Sequence, residues 1–286
     1  MKVGWIGLGN MGVPMVRNLA RAGVDVCAYN RSPKETALAG ARTVHSLTAA
    51  VQDKDVVVLM VSDFAAIEDI LFEQGAAAAM SENTLVLNMS TIGVDETVKL
   101  AQALQGRGLR FMDAPVLGSV KPAENAALTV VAGGDVKDFE QMMPIFNAIS
   151  KAAFHIGPCG KGAAMKLLVN AYLGMAVEAL GECLTFGREN GLSAELMLSV
   201  LENSAVWSPM IASKRDMLLH EEYGAQFALR HLTKDLGLVI RQATQVGAAM
   251  PAVHTTLDTF QKAVADGYGD EDMIAVLKHL RGQTQA

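Results

Sequence analysis

Up to about residue 160, short apolar runs alternate with longer stretches in which apolar residues recur at helical spacing. Residues 2–7, 25–29, 55–61, 84–89, 109–113, 128–132 and 153–156 read as strands, and residues 11–22, 94–105 and 136–149 as helices between them. Residues 56–60 are apolar at every position, as expected for a strand covered on both faces. Strand–helix alternation of this kind predicts a doubly wound, mainly parallel sheet. Beyond Gly157-Pro158-Cys159-Gly160 the period becomes helical almost throughout, with turn signals at Gly191, Pro209, Gly224, Pro251 and residues 267–270. A helix opening near Gly162 can run to about Asn190, where Gly191 offers a stop. That is long for a globular helix and predicts a bridge between an α/β domain at 1–161 and an all-helical domain at 162–286.

Composition narrows the function classes. Half of the 286 residues are apolar (51%) and 19% are charged, which suits a folded chain with a large core. A net charge of −6 with no Lys/Arg-rich run argues against a nucleic-acid partner. The most apolar stretch, residues 163–177, contains Lys166 and Asn170, and no uninterrupted apolar run reaches the ~18 residues of a membrane span. No membrane partner is therefore expected. Cys27, Cys159 and Cys183 are widely separated and form no CxxC pair, so a reducing, cytoplasmic compartment is the simplest reading. The six histidines show no metal-ligand spacing, and no metal site is expected.

Gly7-Leu8-Gly9-Asn10-Met11-Gly12 follows the first strand and opens the first helix. The first glycine suits a tight turn, the second a close backbone approach to a pyrophosphate, and the third close packing of helix on strand. Backbone N–H groups at the helix start would hold the phosphates, which predicts a dinucleotide site. After the second strand an NAD site expects an acidic residue for the ribose hydroxyls. The chain instead reads Tyr29-Asn30-Arg31-Ser32-Pro33. Arg31 can pair with a 2′-phosphate while Asn30 and Ser32 add hydrogen bonds, so NADPH is favoured over NADH. The plain alternative is that Arg31 is a solvated turn residue.

Within the apolar stretch, Lys166 is the only charge, and Asn170 lies one helical turn further on. Gly162 and Gly174 continue that stripe and suggest space beside the polar pair. A lysine in such surroundings should be partly desolvated, which would lower its pKa into the range of acid–base work. The alternative is a lysine that snorkels to solvent.

Residues 160–170 (Gly-Lys-Gly-Ala-Ala-Met-Lys-Leu-Leu-Val-Asn) resemble the catalytic helix of the β-hydroxyacid, or 3-hydroxyisobutyrate, dehydrogenases. Further signatures stand in that family's order: the glycine loop at 7–12, Asn88-Met89-Ser90-Thr91-Ile92, Asp113-Ala114-Pro115-Val116-Leu117-Gly118-Ser119, and Lys234-Asp235. The resemblance covers essentially the whole chain. It implies an N-terminal Rossmann domain, a C-terminal all-α domain joined through a long helix, an active site in the cleft between them, and a homodimer or homotetramer. By the same resemblance Lys166 is the general acid in reduction and the base in oxidation, assisted by Asn170. Gly7, Leu8, Gly9, Asn10, Met11, Gly12, Thr91 and Lys234 meet the cofactor. Gly118 and Ser119 hold the substrate carboxylate, while Phe227 and Asp235 line the substrate pocket. Read as residues alone, Thr91 could cap a strand end, Asp235 could be a surface charge and Phe227 could be core.

The substrate loop departs from the family at Leu117, where a serine is usual. Residues 118–124 (Gly-Ser-Val-Lys-Pro-Ala-Glu) look like the glyoxylate and succinic semialdehyde reductase branch. The expectation is NADPH-dependent reduction of a small aldehyde acid. Two alternatives stay open: 3-hydroxyisobutyrate or another 3-hydroxyacid as substrate, and a non-enzymatic NADPH-binding interaction module.

Overall fold

Val56, Val57, Val58 and Leu59 are all buried, because side chains pack on both faces of the strand they form. One face joins Val56 and Val58 to Trp5, Met15, Leu19, Phe146 and Ile149. The other joins Val57 and Leu59 to Ile67, Leu71, Leu100 and Leu104. These relations come from a computed structural model that describes residues 1–32 and 38–283.

The strands are β1 (Lys2–Ile6), β2 (Asp25–Tyr29), β3 (Arg42–Val44), β4 (Val56–Leu59), β5 (Leu85–Asn88), β6 (Arg110–Asp113), β7 (Val116–Leu117), β8 (Leu128–Gly133) and β9 (Ser150–Gly157). They form one sheet in the order β3-β2-β1-β4-β5-β6-β8-β7, with β9 on the other edge of β8. Pairing is parallel from β3 through β6 and antiparallel where β8 meets β6 and β7. The doubly wound, mainly parallel sheet read from the alternation, and the Rossmann domain implied by the resemblance, are therefore present, followed by helices. Two strands escaped the pattern. β3 is a three-residue edge strand without a buried side chain, and β7 has only two residues. Neither is long enough to show a period.

Helices Val94–Gln105 and Val136–Ile149 fall where their periodicity places them. The long helix spans Lys161–Glu189, and Gly191 takes φ +78° just beyond it, so that Leu192 N–H can bond back to the Gly187 carbonyl. The chain divides into two compact units, residues 1–169 and 170–286, with the boundary inside this helix. The second unit adds helices Ala194–Glu202, Pro209–His220, Leu229–Val246, Pro251–Ala263 and Val276–Gln283. Pro209 and Pro251 are the first residues of their helices, where a missing N–H costs nothing. Among the described residues the long helix is the one long and apolar enough to cross a membrane, and half of its most apolar window is buried inside the protein.

The start of the long helix is fixed by a residue nearly fifty positions away. Asp113, at the end of β6 and fully buried, accepts Gly160 N–H at 2.8 Å on Oδ1 and Ala163 N–H at 2.7 Å on Oδ2. These are donors that a helix cannot satisfy internally. Gly162 matters here because a Cβ on it would lie 2.8 Å from Asp113 Oδ2. Likewise a Cβ on Gly174 would lie 2.9 Å from Leu236 Cδ2. The space expected beside Lys166 and Asn170 is thus filled, by a carboxylate at one glycine and a leucine at the other.

Burial pushes the Asp113 carboxyl up from 3.8 to about 6, against the opposing pull of the Gly160 and Ala163 N–H bonds and the Cys159 thiol. A carboxyl with a raised folded-state pKa contributes stability below its unfolded pKa and loses it as pH rises through the folded one. Two pKa units correspond to about 3 kcal/mol. Urea denaturation should therefore show wild type losing stability relative to Asp113→Asn between pH 4 and pH 6, and a level difference above pH 7. A gap that instead grew in favour of wild type with rising pH would contradict the assignment.

Candidate active site

The glycine loop is shaped by what a side chain would strike. Gly7 has φ +105°, and a Cβ there would sit 2.1 Å from the Met60 carbonyl oxygen. A Cβ on Gly12 would sit 2.0 Å from the Gly7 oxygen. A Cβ on Gly9 would meet nothing within 4 Å, so the backbone at the loop's tip faces open space. The helix Gly12–Arg21 begins without a side-chain cap. A bare helix N-terminus beneath an open glycine backbone suits a pyrophosphate, and the residues present fit a dinucleotide.

Two side chains hold this loop. Asn30 Oδ1 accepts Leu8 N–H at 2.9 Å, while Asn30 Nδ2 donates to the Ser32 carbonyl at 2.8 Å. Asn30 thus braces the loop, where the sequence suggested a neutral contact to phosphate. Beside it, Arg31 and Ser32 are exposed. Pro33 lies outside the described residues. From below, buried Trp5 donates its indole N–H to the Gly7 carbonyl at 2.8 Å. Sequence reasoning passed over Trp5 because an aromatic residue in a buried strand is ordinary core.

The next strand ends are knotted by Ser90. Its hydroxyl accepts Val61 N–H at 2.9 Å and its own N–H donates to Asn88 Oδ1 at 3.1 Å. Ser90 therefore fixes the turn that presents Thr91.

Lys166 is 8% exposed, and its ammonium donates to the Val116 carbonyl at 2.9 Å. That carbonyl immediately precedes Leu117-Gly118-Ser119. The predicted burial holds, and snorkelling is ruled out. Gly118 has φ +128°, with Leu128 and Pro122 packed where a Cβ would be. Ser119 sits at the start of the short helix Val120–Glu124, and its hydroxyl makes no capping bond. The buried Asn18 amide, on the first helix, donates to the Ala123 carbonyl at 2.7 Å and so ties that helix to the loop.

In the second unit Asn170 has a hydrogen-bond partner 65 positions away. Asn170 Nδ2 donates to Asp235 Oδ2 at 2.7 Å, both groups being buried. Asp235 Oδ1 lies 3.0 Å from the Lys234 ammonium, at ion-pair distance but outside hydrogen-bond geometry. Asp235 is thus no surface charge. Phe227 is half-buried. No cluster of three or more His, Cys, Asp or Glu side chains suited to a metal ion occurs among the described residues.

Residues 2–157 match the NAD binding domain of 6-phosphogluconate dehydrogenase, and residues 160–280 match the NAD-binding region of NADP-dependent 3-hydroxyisobutyrate dehydrogenase. The chain belongs to the 3-hydroxyisobutyrate dehydrogenase family. It is an NAD(P)-dependent β-hydroxyacid dehydrogenase or reductase by that membership. Glyoxylate/succinic semialdehyde reductase 1 of Arabidopsis thaliana is 33% identical over 285 residues, covering 98% of this chain and 99% of its own. The 3-hydroxyisobutyrate dehydrogenase of Salmonella typhimurium superposes with a TM-score of 0.90 at 28% identity, over 97% of this chain and 99% of its own. That of Mycobacterium tuberculosis, solved with L-serine, gives 0.86 at 28% identity over 98% and 99%.

The glycine loop fits a dinucleotide, and Gly12 has no room for change. Gly12→Ala should fold with a native circular dichroism spectrum yet bind NADPH at least roughly tenfold more weakly, as followed by nicotinamide fluorescence. Unchanged affinity would show that the loop does not carry the cofactor.

Proposed function

We propose that this protein reduces a small aldehyde acid of the glyoxylate or succinic semialdehyde kind, with NADPH preferred over NADH. The observation that carries the reading is the Lys166 ammonium, buried and aimed at the backbone carbonyl that opens the Gly118–Ser119 loop. When bound, the nicotinamide supplies the hydride that adds to the carbonyl carbon. Lys166 gives a proton to the carbonyl oxygen as that bond forms, which leaves an alcohol and a neutral amine; in oxidation the amine takes the proton back. Gly118 N–H and the Ser119 hydroxyl hold the substrate carboxylate, with Leu117 in the place of the family's usual serine. Thr91, presented by Ser90, borders the nicotinamide ribose, and Lys234 reaches the cofactor. Asn170 holds Asp235, which lines the substrate pocket with Phe227.

The name of the Arabidopsis relative supports the aldehyde acid. L-serine in the Mycobacterium structure, itself a 3-hydroxyacid, supports the second reading, oxidation of a 3-hydroxyacid by the same groups. NADPH rests on Arg31, exposed directly after the loop brace Asn30, with no carboxylate at residues 29–33.

Segment 162–286 also carries the subunit contacts in this proposal, as a homodimer or homotetramer. Tyr172 and Phe186 are each 73% exposed, and Leu196 and Val200 are exposed on the following helix. Large apolar side chains open to water in this number mark a protein partner, and a second copy is the one we infer. Three unpaired cysteines suit a cytoplasmic protein.

Lys166→Ala should bind NADPH like wild type and lose about 10²- to 10⁴-fold in kcat/KM across a panel of aldehyde acids and hydroxyacids. Binding without turnover by wild type would instead favour an interaction module. For the cofactor, Arg31→Ala should weaken NADPH by about 5- to 150-fold and leave NADH nearly unchanged. Equal losses would refute the phosphate contact.

A further inference from the structure

The most deeply buried ion pair among the described residues involves neither Lys166 nor Asn170. Lys214, on the helix Pro209–His220, is 2% exposed, and Asp272, in the turn before the short helix Met273–Ala275, is fully buried. The Lys214 ammonium donates to Asp272 Oδ2 at 2.8 Å and to Gln226 Oε1 at 3.2 Å. Charges taken out of water cost more than their attraction returns unless further hydrogen bonds satisfy them. Here Asp272 Oδ1 accepts Ile274 N–H at 3.3 Å, and the other further bonds come from one place. Asp272 Oδ2 also accepts Gln226 N–H at 3.0 Å and Phe227 N–H at 3.1 Å.

The backbone completes the arrangement. Asp272 N–H donates to the Tyr223 carbonyl at 2.9 Å, and Met273 N–H donates to the Phe227 carbonyl at 2.8 Å. Both main-chain polar groups of Phe227 are therefore fixed by residues 272 and 273. Leu229 N–H, at the first residue of the helix that carries Lys234 and Asp235, bonds to the Glu271 carbonyl at 2.9 Å. Yet the Phe227 side chain is only half-buried. Phe227 thus combines a backbone clamped at both polar groups with a side chain that is not fully buried, an arrangement that suits a side chain held in one orientation toward a ligand.

We propose that Lys214 and Asp272 are positioning residues for the substrate pocket, acting through the backbone of Phe227. The inference rests on Phe227 contacting substrate, as in the function proposed above. Neither charge touches substrate or cofactor. The ammonium holds the carboxylate, and the carboxylate holds the Phe227 amide.

The test uses the full-length enzyme with NADPH and either glyoxylate or succinic semialdehyde, at a temperature well below the melting point of every variant. Asp272→Asn removes the charge at nearly constant volume. The paired variant Lys214→Met/Asp272→Asn leaves no orphaned buried charge, and supplies the reading where the single variant folds poorly. Phe227→Ala is measured alongside. Both Asp272 variants should melt lower than wild type, and their KM for the aldehyde acid should rise roughly tenfold while NADPH affinity stays within about twofold. Phe227→Ala should raise KM by at least as much. A lowered melting point with wild-type KM in both Asp272 variants, while Phe227→Ala raises KM, would overturn the positioning role and leave the function standing. A wild-type KM in Phe227→Ala would remove the premise itself.

Discussion

Three hydrogen bonds, all donated from one helix start to the end of a strand and the residues just after it, hold the proposed chemistry in place. From the strand end, the Asp113 carboxylate receives the Gly160 and Ala163 N–H groups. From the helix, the Lys166 ammonium donates to the Val116 carbonyl. The segment 113–116 and the segment 160–166 each supply a side chain that satisfies the other's backbone. The first link uses donors that would otherwise be unpaired at a buried helix start, and the second holds a flexible four-carbon side chain to one direction. Gly162 is required for this closeness, since any Cβ there would crowd the Asp113 oxygen.

The same economy recurs around the dinucleotide loop. Asn30, Trp5 and Ser90 each hold backbone with a side-chain hydrogen bond rather than pointing outward. The parts that the proposed function assigns to ligand are then chiefly backbone and small: the open face of Gly9, the uncapped start of the first helix, and Gly118 with Ser119. A rigid loop of this kind gives up little further conformational entropy when a phosphate or carboxylate binds. In the second unit, Asn170 with Asp235, and Lys214 with Asp272, are likewise buried and hydrogen-bonded.

Much of this was legible in the sequence, for definable reasons. The alternation of runs up to residue 160 reports strands buried on both faces, and the glycine loop reports a backbone that must approach a ligand. The 29-residue helix could be read from its period and from Gly191. Lys166 stood out as one charge in an apolar stretch, and its burial followed. What remained hidden was non-local. Nothing near Asp113 announces that it will meet a helix start 47 residues later, and Asn170 gives no sign that Asp235, 65 residues on, will accept its amide N–H. That Asn30 would also brace the Leu8 N–H, 22 residues back, was equally non-local. Strands β3 and β7 are too short for any period to appear.

The central claim is that the clamp between these two segments exists to place Lys166 as proton donor. A double-mutant cycle on kcat/KM tests it, combining Asp113→Asn with Lys166→Ala. If the clamp acts through the lysine, Asp113→Asn slows the enzyme that retains Lys166 and has almost no further effect on the enzyme that lacks it. Full additivity of the two losses would contradict the account, since Asp113 would then be acting on the reaction by some route other than the lysine it is said to hold.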